Sequence, residues 1–216
     1  MQIWNNRVDH HVDITDHPLV HVIEAPDNIM DINGELCKTI DDLDNKGVGS
    51  YDSINAKVST FTGWKTFEPE PFQTLMDWAG AVASEISLDR FGVNFVGTYT
   101  HCWGMRYHKG DYAPAHGHFP AVWSWVYYPY IEDEETAPPL QFPSNLTSIM
   151  EGQVEEKIDE RRVIDDVALS IPSKTGRLIL FQSHLYHQVP KQPNDKKRYV
   201  VAGNMAHDFT RDEAPF

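Results

Sequence analysis

The spacing of apolar residues changes near Gly92. Before it, Phe72, Leu75, Met76, Ala79, Val82, Ala83 and Ile86 recur at steps of three and four and build one apolar stripe, as an amphipathic helix does. Pro69 suits a first helical turn and Gly92 an exit. The pattern predicts a helix over about 69–90 that packs on a sheet through this stripe. Further upstream, Pro18–Ile23 reads as a strand and the polar stretch near Asp31–Asp44 as a short helix.

After Gly92 short β-rich runs follow one another: Val93–Thr100, Val122–Tyr130, Val167–Ile171, Arg177–Gln182 and Arg198–Met205. Turn clusters separate them, such as Lys109-Gly110-Asp111, Pro138-Pro139 and Pro193-Asn194-Asp195. Many short strands with turn signals indicate a sandwich or barrel rather than a doubly wound sheet. The charged run Glu151–Asp166 reads as a solvated surface excursion. We expect a single domain over 1–216. Residues 1–92 form its N-terminal extension, with one long helix, and 93–207 its core.

Composition narrows the class. A chain of 216 residues buries a sizeable core without disulfides or a structural metal. Cys37 and Cys102 make neither a disulfide framework nor a zinc pattern, which favours a reducing compartment, the cytoplasm. The N-terminus lacks the basic and apolar segments of a signal peptide. No apolar run approaches the length of a membrane span. The net charge of −14 opposes general nucleic-acid binding. Nothing in the chain speaks to oligomeric state.

Eleven histidines are more informative by position than by number. In Tyr112-Ala113-Pro114-Ala115-His116-Gly117-His118, an extended chain puts His116 and His118 on one face. Two such imidazoles suit a metal. Downstream, Pro172–Arg177 turns into the strand Leu178-Ile179-Leu180-Phe181, followed by Gln182-Ser183-His184-Leu185-Tyr186-His187-Gln188-Val189. Arg198 stands eleven residues after His187 and opens a further strand. His10, His11, His17 and His21 fit no ligand geometry and read as surface residues, and His184 would face away from His187.

Here the chain resembles the Fe(II)/2-oxoglutarate-dependent oxygenases, in particular those of phages and marine bacteria. The likeness rests on His116-x-His118, on Pro172, Gly176, Leu178, Leu180-Phe181, Ser183, His187 and Val189, and on Arg198. Gly63-Trp64-Lys65-Thr66 is similar to a Gly-Trp-Gln-Ser signature of the same group. The resemblance implies a mainly β fold with flanking helices, a double-stranded β-helix or cupin-like jelly roll.

It also implies roles. His116 and His187 would be catalytic iron ligands, with His118 in the position the family gives to a carboxylate. Three imidazoles, two imidazoles and water, or a carboxylate from elsewhere such as Asp111 all satisfy that site. Arg198 would pair with the distal carboxylate of 2-oxoglutarate, and Tyr107 would donate its phenol to it. Tyr112 and Ser183 would stand behind these groups. Fe(II), 2-oxoglutarate, molecular oxygen and a small-molecule or peptidyl substrate are the implied partners. The expected reaction couples decarboxylation of 2-oxoglutarate to hydroxylation of a C–H bond. Two other readings compete: a three-histidine, cupin-type dioxygenase that needs no 2-oxoglutarate, and a non-catalytic jelly roll that binds a metal or small ligand.

Overall fold

A computed structural model describes residues 12–13, 18–45, 70–144 and 167–207. His10, His11, His17, the Gly63–Thr66 signature and the charged run Glu151–Asp166 lie outside these residues. In chain order the elements are β1 (Val12–Asp13), β2 (Val20–Glu24), α1 (Asp27–Met30), α2 (Asn33–Asn45), α3 (Glu70–Phe91), β3 (Gly97–Tyr107), β4 (Ala113–His116), β5 (Trp123–Ile131), β6 (Leu140–Pro143), β7 (Val167–Ile171), β8 (Arg177–Gln182), β9 (His187–Val189) and β10 (Arg198–His207). They form a six-stranded sheet, ordered β1-β2-β8-β5-β10-β3, and a four-stranded sheet, ordered β4-β9-β6-β7. Every pairing is antiparallel. This is the double-stranded β-helix, mainly β with helices on one side.

The larger sheet is buried on both faces, which explains its nearly continuous apolar strands. Leu178 and Leu180 of β8, with Trp123, Trp125 and Tyr127 of β5, join Leu36 and Ile40 of α2 and Phe72, Leu75 and Ala79 of α3 in one core. The alternate residues Ile179, Phe181, Val126 and Tyr128 turn the other way and meet Ala113, Leu140, Phe142, Ile171 and Val189 of the smaller sheet. All seven stripe residues of α3 are buried. Asp41 fastens α2 to the sheet by accepting the Tyr199 hydroxyl at 2.9 and 2.8 Å and Arg106 Nη1 at 3.0 Å.

Two local readings of the sequence change. The strand expected over 93–100 starts at Gly97 and continues to Tyr107. Its second half, with Gly104 and Arg106, is a strand because β10 pairs with it as far as Tyr107. Strands β4, β6 and β9, of four, four and three residues, are too short to show a period and form by pairing with one another and with β7.

Candidate active site

Three imidazoles converge at one end of the cavity between the sheets. His116, the last residue of β4, lies directly opposite His187, the first of β9, and facing residues of an antiparallel pair have Cβ atoms about 4.5–5.5 Å apart. The strand ends at His116, so shared strand parity does not bring His118 in. Its backbone N–H donates to the Ser183 carbonyl at 2.9 Å, and this holds the third ring in place. Ring centroids are 4.4 Å apart for His116 and His187, 4.9 Å for His116 and His118, and 5.0 Å for His118 and His187. One nitrogen from each ring lies within 4.8 Å of the others, so the three could hold a metal ion.

Two of these rings are oriented by backbone carbonyls. His116 Nδ1 is 2.7 Å from the Pro114 oxygen and His187 Nδ1 is 3.1 Å from the Leu185 oxygen. A carbonyl only accepts, so each neutral ring carries its proton on Nδ1 and keeps the Nε2 lone pair for a metal. Burial, then the neighbouring His116 and His118, hold the His187 pKa well below the usual 6.5. Phe181 packs on that ring with centroids 4.6 Å apart, and Trp103 lies 5.8 Å from the His118 ring.

The other end of the cavity is built around Arg198, which is 1% exposed. Its guanidinium carbon lies 4.4 Å from the Tyr107 ring centroid and 5.4 Å from that of Tyr128. Nη2 donates to Ser173 Oγ at 3.3 Å, and that hydroxyl donates to the Pro138 carbonyl at 2.7 Å. Arg198 Nε and Nη1 and the Tyr128 hydroxyl are buried with no hydrogen-bond partner among the described residues. Burial raises the Tyr107 pKa, with Arg198 opposing it, so the phenol keeps its proton and can donate. Buried donors left unmet are costly, and their place in a cavity calls for the oxygens of an anion.

Strand parity joins the two ends. Arg198, Val200, Ala202 and Asn204 of β10 line the cavity with Trp103, Met105 and Tyr107 of β3 and Ser124, Val126 and Tyr128 of β5. Arg198 and Asn204 are six residues apart along an extended strand, roughly 20 Å. The enclosed volume is about 240 Å³.

The remaining expected residues are placed differently. Tyr112 is half-buried beneath Lys191, whose Nζ is 5.5 Å from the ring centroid, and it is not among the cavity residues. Ser183 is buried, and its Oγ is 2.7 Å from Ser124 Oγ, which donates to Asn204 Oδ1 at 2.8 Å. Asp111 accepts the His108 backbone N–H at 2.8 Å and does not belong to the imidazole cluster. His184 is exposed. Sequence reasoning missed Tyr128, Ser173 and Asn204 as site residues. For Asn204 a signal existed: it lies an even number of positions after Arg198, so a strand puts both on one face.

Comparisons with known proteins agree with this geometry. Residues 101–204 match the family described as putative 2OG-Fe(II) oxygenases. A comparison with curated proteins finds no match. Among solved structures, a Trichoplax adhaerens prolyl hydroxylase, in complex with a peptide fragment of the hypoxia inducible factor oxygen degradation domain, is 18% identical. It covers 93% of this chain and 89% of its own, with a TM-score of 0.58. A Pseudomonas putida prolyl-4-hydroxylase is 14% identical over 83% of this chain and 88% of its own, with a TM-score of 0.55. A viral collagen prolyl hydroxylase from Paramecium Bursaria Chlorella virus-1, as its 2OG complex, is 13% identical over 87% and 95%, also at 0.55. Identities this low speak to a shared fold, while the family match runs from β3 to β10 and takes in all three imidazoles and Arg198. Residues 101–204 thus match the Fe(II)/2-oxoglutarate-dependent oxygenases, a family whose cofactor and co-substrates are Fe(II), 2-oxoglutarate and molecular oxygen, and the three imidazoles could hold the metal.

Proposed function

We propose that His116, His118 and His187 hold Fe(II) and that Arg198 binds the distal carboxylate of 2-oxoglutarate, in an enzyme that hydroxylates a C–H bond. The observation that carries this reading is Arg198: a buried cation with two N–H donors that no described residue meets, in the same cavity as the imidazole cluster. A planar guanidinium suits a carboxylate held through two hydrogen bonds. Tyr107 and Tyr128 stack about it and can donate their hydroxyls to the same oxygens. When bound, iron with 2-oxoglutarate supplies the oxidising power, and the protein orients the reactants and excludes water. Trp103, Met105, Phe181, Val200 and Ala202 provide the apolar wall for that exclusion.

In this reading Ser183 acts through its neighbours, its carbonyl steadying His118 and its hydroxyl the Ser124–Asn204 pair. Tyr112 is left a role outside the cavity, packing against Lys191. The unpaired Cys37 and Cys102 accord with a cytoplasmic enzyme, and no described helix is long and apolar enough to cross a membrane.

Three imidazoles without a carboxylate also suit a dioxygenase that needs no 2-oxoglutarate, and Arg198 separates the two. Anaerobically reconstituted protein given Fe(II), 2-oxoglutarate and then oxygen should form succinate, if slowly without substrate. Arg198→Ala should raise the KM for 2-oxoglutarate by roughly a hundredfold, since truncating one side of a buried charge-assisted pair costs about 2–5 kcal/mol. An unchanged KM would favour the second reading.

A further inference from the structure

We infer that Ser173 is a positioning residue for 2-oxoglutarate: its hydroxyl, held by the Pro138 carbonyl, fixes which edge of the Arg198 guanidinium faces the cavity. The inference rests on the reading that Arg198 binds the distal carboxylate of 2-oxoglutarate.

A guanidinium recognises a carboxylate along one edge of its plane. Both the tilt of that plane and the rotation within it must therefore be fixed. The tyrosines fix the tilt. Strands β3 and β5 flank β10, and Tyr107 and Tyr128 bring their rings to 4.4 and 5.4 Å from the guanidinium carbon. A ring face attracts the cation but gives it no preferred direction in its own plane. Rotation needs a directional contact, and Nη2 has one in Ser173 Oγ at 3.3 Å. The polarity of this contact is forced. Ser173 has one hydroxyl proton, and it goes to the Pro138 carbonyl, an acceptor only, at 2.7 Å. A lone pair is what remains for Nη2, and a guanidinium only donates. Nε and Nη1 have no partner among the described residues. One nitrogen is thus anchored while the others stay available to an anion.

The anchor is itself held. Pro138 ends the loop that follows β5, and Asp133 ties that loop to itself by accepting the Thr136 hydroxyl at 2.7 Å and, through its carbonyl, the Ala137 N–H at 3.1 Å. Glu134 accepts the Thr175 N–H at 2.9 Å, and the Thr175 hydroxyl accepts the Ile131 N–H at 3.0 Å. These two bonds fasten the loop to the turn that carries Ser173. Glu132 accepts the Lys197 N–H at 2.9 Å and pairs with Lys196 at 2.8 Å, which fastens it to the residues just before Arg198. Exposed pairs are weak singly, but here several share one short loop. The carbonyl, the hydroxyl and the guanidinium therefore sit on three segments tied to one another. Ser173 is 1% exposed, so water does not readily replace its hydroxyl. Without that hydroxyl the guanidinium keeps its rings and loses its rotational anchor. Binding 2-oxoglutarate must then order it, and that ordering weakens affinity.

The test uses full-length protein loaded with Co(II), into which 2-oxoglutarate is titrated by calorimetry without turnover. Ser173→Ala should raise the Kd for 2-oxoglutarate about tenfold, the scale of one hydrogen bond to a charged group. Ser173→Thr and Ser173→Val form a second comparison. They add the same bulk and differ in the hydroxyl, so the valine variant should bind roughly fivefold more weakly than the threonine variant. Co(II) affinity, read from the visible spectrum before 2-oxoglutarate is added, should change by less than about twofold in all three, because the imidazoles lie at the other end of the cavity. A merely structural role would lower both affinities together. The inference is overturned by an unchanged or lower Kd in Ser173→Ala, by equal Kd values in the threonine and valine variants, or by a parallel loss of Co(II) affinity. Wild type and Arg198→Ala separate it from the reading beneath it. If wild type does not bind 2-oxoglutarate, or Arg198→Ala binds it as wild type does, the underlying reading fails; if Arg198→Ala loses binding and Ser173→Ala keeps it, only the positioning role is lost.

Discussion

At the scale of single residues the site is a set of donors and lone pairs held ready by ordinary backbone groups. Carbonyls orient His116 and His187, and two tyrosine rings bracket Arg198. Tyr128 differs from Phe by one buried hydroxyl with no partner among the described residues. If that hydroxyl serves 2-oxoglutarate, Tyr128→Phe should raise its KM about tenfold, since a hydrogen bond to a charged group contributes roughly 1.5–3 kcal/mol. Steady-state kinetics should show kcat nearly unchanged. His187 makes a prediction about pH. Folded, it takes up a proton only well below 6.5, whereas an unfolded imidazole does so near about 6.5. Between these values the unfolded chain binds more protons, so stability rises with pH there and is lost as pH falls. The unfolding midpoint of metal-free protein should drop from about pH 7 to about pH 5. His187→Gln should flatten that slope in thermal scans.

Among the elements, the contact between the helices and the large sheet is the most sensitive to volume. A Cβ on Gly203 would meet the Trp125 indole at 2.6–2.8 Å, and one on Gly104 would meet Ile40 Cγ1 at 2.7 Å. Trp125 lies in the β5 register position facing Gly203, so the ring has little room to retreat. Gly203→Ala should destabilise by about 1–3 kcal/mol through overpacking, measured as a lower denaturant midpoint with unchanged m-value. Gly104→Ala meets the buried, β-branched Ile40 and the Phe72 ring and should destabilise by a comparable amount. Strand β10 links this packing to the site, because Tyr199, Val201 and Met205 join the core shared with the helices while Arg198, Val200, Ala202 and Asn204 line the cavity.

Across the whole molecule, the proposed function has ligands completing both the buried cation and the imidazole cluster. Fe(II) or Co(II) with 2-oxoglutarate should therefore raise the thermal midpoint, and the two together should act more strongly than either alone. A ligand at a hundred times its Kd contributes about 2.7 kcal/mol. Differential scanning calorimetry on wild type and Arg198→Ala checks this, with the 2-oxoglutarate increment expected to vanish in the variant.

Much of this was legible in one dimension. The α3 stripe and the strands around Leu178–Phe181 depend on local period, which a sequence displays directly, while His187 and Arg198, on different strands, were linked by the family resemblance. The metal pair His116 and His118 was legible only together with the downstream strand that carries His187, because two imidazoles two residues apart are by themselves a weak signal. Other features depended on chain segments meeting. His118 joins the cluster through the Ser183 carbonyl, Tyr128 becomes a site residue because its inward face meets Arg198, and Tyr112 leaves the site because it packs against Lys191. The short strands β4, β6 and β9 exist only through their pairing. By itself the sequence determined which groups were available and their order along each strand. Only the tertiary structure decided which of them share one water-excluding cavity, because burial and unmet hydrogen bonds arise where distant segments close on each other.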